Sequence, residues 1–458
     1  MSGPLANDRR ALVLGGGVAG ITAAFLLRER GFAVELHEAH RGLGGRAFTL
    51  PARPGEPPID NGPHVILGCY DAFLRLLHRL GTAQCFAPAS RLSLAYRERD
   101  GRASSLRLLP GPVPLTFPIA LLCTSSLSVR DRLRAARGLI AATRVPADGT
   151  SLAQWLARHG QDGGPRRVLW DPLCRAIANA EAEEIDAALM LATLKRAFGG
   201  SGRRAAILIP DAPWSAILGE PALAGLRTNG VGVEFASRID AIEVDGGAVV
   251  ALRFANGLRR TIARDDLVVS ALPWHALARA LPGVTTAAKL DGKPMLSVAF
   301  WCDHDPRLPA DLLIALVDGE PFHFFCRRAG DPPDRFALIS GGARGLDGIP
   351  TETIVERALA QLVSAFPGAR LATGVHARVS MESRATLWPR PGESALRPRP
   401  GPVDGIENFV LAGDWTATGL PSTLEGAALS AESAIDRALA QGLRSAPATR
   451  PCPSPNEH

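Results

Sequence analysis

The stretch LVLGGGVAG confines the N-terminal part of this chain to very few folds. Ala11 to Leu14 is a short apolar run. Gly15, Gly17 and Gly20 then follow in the spacing G-x-G-x-x-G, and a helical pattern of apolar residues starts at Ile21. That order predicts strand, tight turn, helix. The first glycine permits the turn, the second leaves bare backbone for a pyrophosphate, and the third lets helix and strand lie close. The helix start, with Val18 and Ala19, offers unpaired N–H groups and the positive end of its dipole to phosphate. A second apolar run, Ala33 to His37, ends in Glu38 and Ala39. Glu38 stands about where a dinucleotide site places its ribose-binding acid.

A second glycine loop follows at once: Gly42, Gly44 and Gly45 lead into Arg46. This arrangement resembles the second fingerprint of the flavin amine oxidase and carotenoid desaturase superfamily, which implies FAD rather than NAD as the cofactor. The resemblance gives Gly44 and Gly45 a close approach to the cofactor and Arg46 a place near its phosphates. The competing reading is a surface turn with a solvated arginine. The resemblance also implies cofactor contacts for Gly62, Pro63 and His64 in the segment DNGPH, and for Ile239. Near the other end of the chain, LAGDWTATGLPSTLEGA puts Gly413 and Asp414 at the carboxyl end of an apolar run, where open α/β sheets bind ligands. The resemblance assigns Asp414 to the ribityl or phosphate region. It assigns Glu425, Gly426 and Ala427 to a helix start beneath the isoalloxazine ring.

The expected fold class is therefore α/β: a discontinuous, two-domain, flavin amine oxidase-like chain with a Rossmann-like FAD-binding domain and a mixed α+β substrate domain. Residues 8–78, 206–285 and 404–444 are expected in the FAD-binding domain. Residues 79–205 and 286–403 are expected in the substrate domain, and the Pro-rich tail 445–458 is expected to be disordered. Helices are predicted from Ser151 to Arg158 and from Ala187 to Phe198. Alternating residues with turn signals at Gly246–Gly247 and Asn256–Gly257 predict an antiparallel meander ending in the buried strand Leu267 to Ala271.

Composition narrows the function classes. The net charge is +6, yet no dense Lys/Arg block with interleaved aromatics marks a nucleic-acid binder. Seven cysteines, odd in number and widely spaced, form neither a disulfide framework nor a metal-binding pair. They suit a reducing compartment, and with no signal-peptide pattern the expectation is a cytoplasmic protein. No clustered His/Cys/Asp/Glu set predicts a metal site. The most apolar stretch, Leu108 to Val129, is interrupted by Pro110, Pro112, Pro114 and Pro118, so it reads as an apolar loop too broken for a bilayer crossing. After it, Arg130, Arg134 and Arg137 are expected on a helix opposite Leu133, Leu139 and Ile140. Such a helix fits a membrane interface, on the inner face of the cytoplasmic membrane, or an ordinary protein surface.

Phrases along the whole chain resemble the hydroxysqualene dehydroxylases: DNGPHVILGCY, WDPLCRAIANA, LIPDAPWSAILGEPAL, ESRATLWP and LAGDWTATGLPSTLEGA. Glu181 interrupts the turn after Asn179, where a more apolar sequence is expected of that family. The resemblance implies reductive removal of the hydroxyl from hydroxysqualene, a long isoprenoid, to leave squalene. His64 is the first candidate for protonating or hydrogen-bonding that hydroxyl, against a role in ordering its loop. Asp171, beside Trp170 on an expected cavity wall, and Tyr70 are further catalytic candidates, and Trp415 is expected as an aromatic wall. Rival readings are a carotenoid-type desaturase, an amine oxidase, which two tyrosines make a poor fit, and a prenyl-lipid carrier of the GDP-dissociation-inhibitor kind.

Overall fold

Strict alternation along three short apolar strands builds the centre of the molecule. Ala11, Val13, Leu267, Val269 and Val410 face one side, and Leu12, Leu14, Val268, Phe409 and Leu411 face the other. Both faces are buried, as in a parallel sheet covered on each side. The computed structural model describes residues 9–99, 101–145, 149–343 and 345–441. The tail expected to be disordered lies outside them.

The central sheet has six strands in the order Gly401–Val403, Ile406–Leu411, Leu267–Ser270, Arg10–Leu14, Ala33–His37 and Gly232–Glu234. All neighbours are parallel except the first pair, so the sheet begins at residue 401, ahead of the expected boundary at 404. Helices Val18–Glu29 and Leu424–Ala440 cover one face, joined by Asp71–Leu80. The other face is covered by the predicted meander, Ile239–Asp245, Ala248–Phe254 and Arg259–Thr261.

A second sheet has seven strands in the order Val375–Leu387, Gly292–Cys302, Arg335–Gly341, Phe324–Cys326, Leu313–Val317, Ser93–Glu98 and Ala103–Arg107. Leu313–Val317 pairs with Ser93–Glu98 in parallel and the remaining pairs are antiparallel. Helix Thr351–Ala365 packs on one face. A helical layer that includes Leu152–Arg158, Asp171–Ala178 and Ala187–Phe198 packs on the other.

The proline-broken stretch corrects its sequence reading. Val113–Cys123 is a helix, with Pro114 in its first turn, where no N–H is needed, and Pro118 inside. Burial of Val113, Phe117 and Leu121 against the helical layer outweighs the roughly 3 kcal/mol that an internal proline costs. The next helix, Val129–Ala141, also differs from its expected pattern. Leu133 and Ile140 are exposed on the same side as Arg130 and Arg137, whereas Arg134 is half-buried and paired with Asp131. Among the described residues no helix is long and apolar enough to cross a membrane.

Candidate functional site

The glycine turn sits at the carboxyl ends of the central strands, and each glycine there answers a different constraint. Gly15 has φ +102° and donates to His37 O. A Cβ on Gly20 would lie 1.8 Å from Gly15 O, so that glycine is demanded by helix–turn packing. Gly17 is unlike both. Its φ of −77° is ordinary, and an added Cβ would meet only Gly45 Cα, at 3.7 Å. Nothing in the protein requires a glycine at that point. The space in front of it is what a phosphate would fill.

The surroundings fit that occupant. Gly17 caps helix Val18–Glu29 with no side chain accepting from its first turn, and no acid stands in that turn. The N–H groups at Val18 and Ala19 thus have no side-chain capping partner among the described residues. Gly44 N donates to Gly16 O at 2.9 Å, which lays the second glycine loop along the first. Glu38 is buried and ties both loops down, accepting from Gly16 N at 2.6 Å and His40 N at 2.8 Å. Each carboxylate oxygen keeps a second lone pair for a ribose hydroxyl. Ala39 is on the exposed loop beside it, and Ile239 is buried between meander and sheet.

The two ends of the chain meet here. Arg46 donates to Asp414 Oδ1 at 2.6 Å and to Ala385 O at 2.7 Å, joining the N-terminal loop, the C-terminal motif and the second sheet. Gly413, at φ +141°, donates to Ser430 Oγ of the last helix. Gly426 N donates to Thr423 Oγ1, and Ala427 follows in the first turn. Glu425 departs from expectation. Its carboxylate, fully buried, accepts from Ala72 N and Phe73 N and pairs with Arg196. It caps the start of helix Asp71–Leu80, leaving only its backbone to face a cofactor. Burial raises its pKa despite the guanidinium.

The loop carrying His64 hangs between the sheets. Asp60 accepts from Thr49 Oγ1 and Trp214 N and meets Arg328, while Asn61 contacts Ser380 and Glu382 of the long strand. Gly62 makes the turn at φ +82°, and Pro63 continues it. His64 Nδ1 lies 2.9 Å from Gly62 O. A carbonyl only accepts, so Nδ1 carries the proton and Nε2 of the neutral ring presents a lone pair. The ring meets Trp214 edge-on, and burial lowers its pKa from 6.5.

The other candidates have their polar ends engaged by the protein. Tyr70 is packed in the helix-side core with its hydroxyl bonded to Thr423, and burial raises its pKa. Asp171 is paired with Arg166 in the helical layer, and burial pushes its carboxyl up. Trp170 is core rather than cavity wall, fully buried and donating to Gln161 Oε1. Trp415 is likewise core, donating to Leu272 O. Two residues escaped the sequence reading. Arg397, buried, donates to the carbonyls of Asp414, Trp415, Thr416 and Leu420, holding the C-terminal motif in shape. His275 has its pKa lowered by burial and by Arg384, Arg46 and Arg279, and its buried Nδ1 has no hydrogen-bond partner among the described residues. Neither stands in a local pattern that would signal a role. Among the described residues no group of three or more His, Cys, Asp or Glu is placed to hold a metal.

A glycine turn between strand and helix, with an arginine–aspartate pair joining opposite ends of the chain, belongs to a flavin amine oxidase-like fold. The chain belongs to the Flavin containing amine oxidoreductase family, which it matches over residues 18–439. It is a flavin-dependent enzyme. It is similar to hydroxysqualene dehydroxylase of Rhodopseudomonas palustris, 30% identical over 94% of this chain and 98% of that one. It is also similar to zeta-carotene desaturase of Synechocystis, 25% identical over 95% and 98%. Among solved structures, an oxidoreductase from Methanosarcina mazei superposes with a TM-score of 0.71 at 15% identity, covering 93% of this chain and all of that one.

Proposed function

We propose that this chain is an FAD-dependent oxidoreductase that removes the hydroxyl of hydroxysqualene and leaves squalene. The observation that carries the reading is the end-to-end similarity to a hydroxysqualene dehydroxylase, with the cofactor cradle intact in the same chain. In the reaction a C–O bond is replaced by a C–H bond, two electrons and two protons enter, and water leaves. Bound in the cradle, reduced flavin would supply the hydride.

The chain's own residues supply the rest. Gly17, Val18 and Ala19 hold the pyrophosphate against bare backbone and helix N–H groups, and Glu38 takes the ribose. Arg46 and Asp414 face the remaining polar part of the cofactor as a pair. His64 meets the substrate hydroxyl through Nε2. A proton taken up on that atom passes to the departing oxygen, and the lowered pKa makes the protonated ring a stronger acid than a free imidazolium. Asp171 and Tyr70 have their polar ends engaged by Arg166 and Thr423 and take no part. In this reading the protein is cytoplasmic and meets its water-insoluble substrate at the inner face of the membrane.

The test is anaerobic incubation of the reduced protein with hydroxysqualene, with products identified by mass. Squalene and reoxidised flavin are expected. Recovery of unchanged alcohol, together with reduction of the oxidised flavin by a polyene, would establish the desaturase reading instead, which the similarity to zeta-carotene desaturase motivates.

A further inference from the structure

Helices Val113–Cys123 and Val129–Ala141 pack on each other and bury only one side each. Their inner residues, Val113, Phe117, Leu121 and Ala135, join the core cluster of the helical layer. Their outer residues do not follow the usual polar pattern. Leu115 is 67% exposed, and Ile119 and Leu122 follow at helical spacing. On the second helix Val129 is 70% and Ile140 64% exposed, with Leu133 between them. Of the twelve large apolar side chains exposed among the described residues, eight fall between Leu109 and Val145. Single exposed leucines need no explanation, but a concentration of this kind marks a docking surface.

Charge selects the occupant. From Arg107 to Val145 there are six arginines and a single acid, Asp131, so the segment carries +5 of the chain's net +6. Arg132 is held by the carbonyls of Leu122 and Leu127 in its own hairpin, and Arg134 by Asp131 and the carbonyls of Gly160 and Asp162. Arg130, Arg137 and Arg144 are exposed and form no ion pair among the described residues. A second copy of the chain meeting this face about a two-fold axis would set the same arginines against each other. A bilayer presents an apolar interior beneath anionic headgroups, which matches both properties at once.

We propose that the helix pair of residues 113–141 lies in the surface of a membrane containing acidic lipids, with its leucines, isoleucine and valine side chains among the acyl chains and its free arginines at the headgroups. The pair does not span the bilayer. This deepens the proposed function, on which it rests only for the purpose of docking: an isoprenoid substrate resides in the lipid.

The experiment is flotation of the full-length protein, free of detergent, with phosphatidylcholine vesicles and with vesicles in which phosphatidylglycerol replaces roughly a third of the lipid. The protein is expected to float with the acidic vesicles and to be released at high salt. Combining Leu115→Ser, Leu133→Ser and Ile140→Ser should lower partitioning at least about tenfold. Combining Arg130→Ala, Arg137→Ala and Arg144→Ala should remove the preference for acidic lipid. Leu258→Ser, on the exposed meander, should change neither. Flavin content and thermal melting confirm that each variant folds. No flotation of the native protein, equal flotation of the triple serine variant, or dimerisation in sedimentation velocity that those serines abolish would each overturn the proposal. Turnover of substrate presented in detergent micelles does not depend on docking, so its loss would strike the catalytic reading and leave this one standing.

Discussion

Gly17 and Gly20 stand three residues apart in one motif, and the structure predicts opposite consequences for placing a methyl group on each. At Gly17 the added carbon has room and the backbone angles are ordinary. Alanine there loses about 1 kcal/mol as a poorer helix cap. It regains about 0.4–1 kcal/mol by restricting the unfolded chain. Stability of the cofactor-free protein should therefore fall by no more than about 0.6 kcal/mol, a melting shift of no more than about 2 °C for a chain this long. At Gly20 the same carbon would stand 1.8 Å from Gly15 O. Turn and helix must separate by more than an ångström, and a loss of about 3 kcal/mol or more is expected.

Cofactor binding should rank these variants the other way. On the proposed reading, Gly17→Val fills the space a pyrophosphate would take and keeps it from the helix N–H groups. Losing two charge-assisted hydrogen bonds, at about 1.5–3 kcal/mol each, weakens FAD by roughly a hundredfold to ten-thousandfold. The assay pairs melting of apoprotein, because bound cofactor would itself stabilise, with titration of FAD followed by its absorbance. Gly17→Ala is expected to melt like the parent and bind FAD at least about tenfold more weakly, and Gly17→Val to retain none. A Gly17→Val variant purified with full flavin occupancy would refute the cradle. A melting loss in Gly17→Ala as large as in Gly20→Ala would show that the fold, not a cofactor, demands that glycine.

Burial sets the folded-state pKa of His64 below its ordinary 6.5, so protonation grows only as pH falls beneath that value. We expect kcat/KM to rise from neutral toward acid with a midpoint below 6.5, while fold stability declines over the same range because the unfolded chain binds the proton more readily. His64→Gln should keep its flavin, lose that pH dependence and turn over roughly a hundredfold more slowly, and unchanged kinetics would remove His64 from the mechanism. Arg397→Met should destabilise the protein by about 3 kcal/mol or more by orphaning buried carbonyls, with lysine rescuing only part in urea melts. Glu425→Ala strips the cap from helix Asp71–Leu80 and leaves Arg196 without its buried partner, for an expected loss of about 3–5 kcal/mol. Retention of parental stability would mean that the carboxylate faces the cofactor after all.

What could be read from the sequence follows from how local each constraint is. Strand Arg10–Leu14, the glycine turn and helix Val18–Glu29 were legible because apolar period and turn chemistry are written within twenty residues. The meander was legible for the same reason. The contact between Arg46 and Asp414 spans 368 residues, and only family resemblance linked the two motifs before the sheet brought them together. Glu425 shows that recognising a motif does not fix where a side chain points. Its helix start was correctly located, but the carboxylate accepts from two first-turn N–H groups of the neighbouring helix, which belong to a segment with no sequence relation to it. Arg397 lies among prolines in RPRPGP, where nothing local distinguishes a clamp from a solvated side chain. The proline-rich helix Val113–Cys123 was hidden by the opposite effect. Proline is a strong local signal against a helix interior, and it was overruled by burial of Phe117 and Leu121 against residues that lie far along the chain. That override also produced the surface on which the membrane proposal depends. Once the inner side of the segment is committed to the core, Leu115, Ile119 and Leu122 have nowhere to turn but outward.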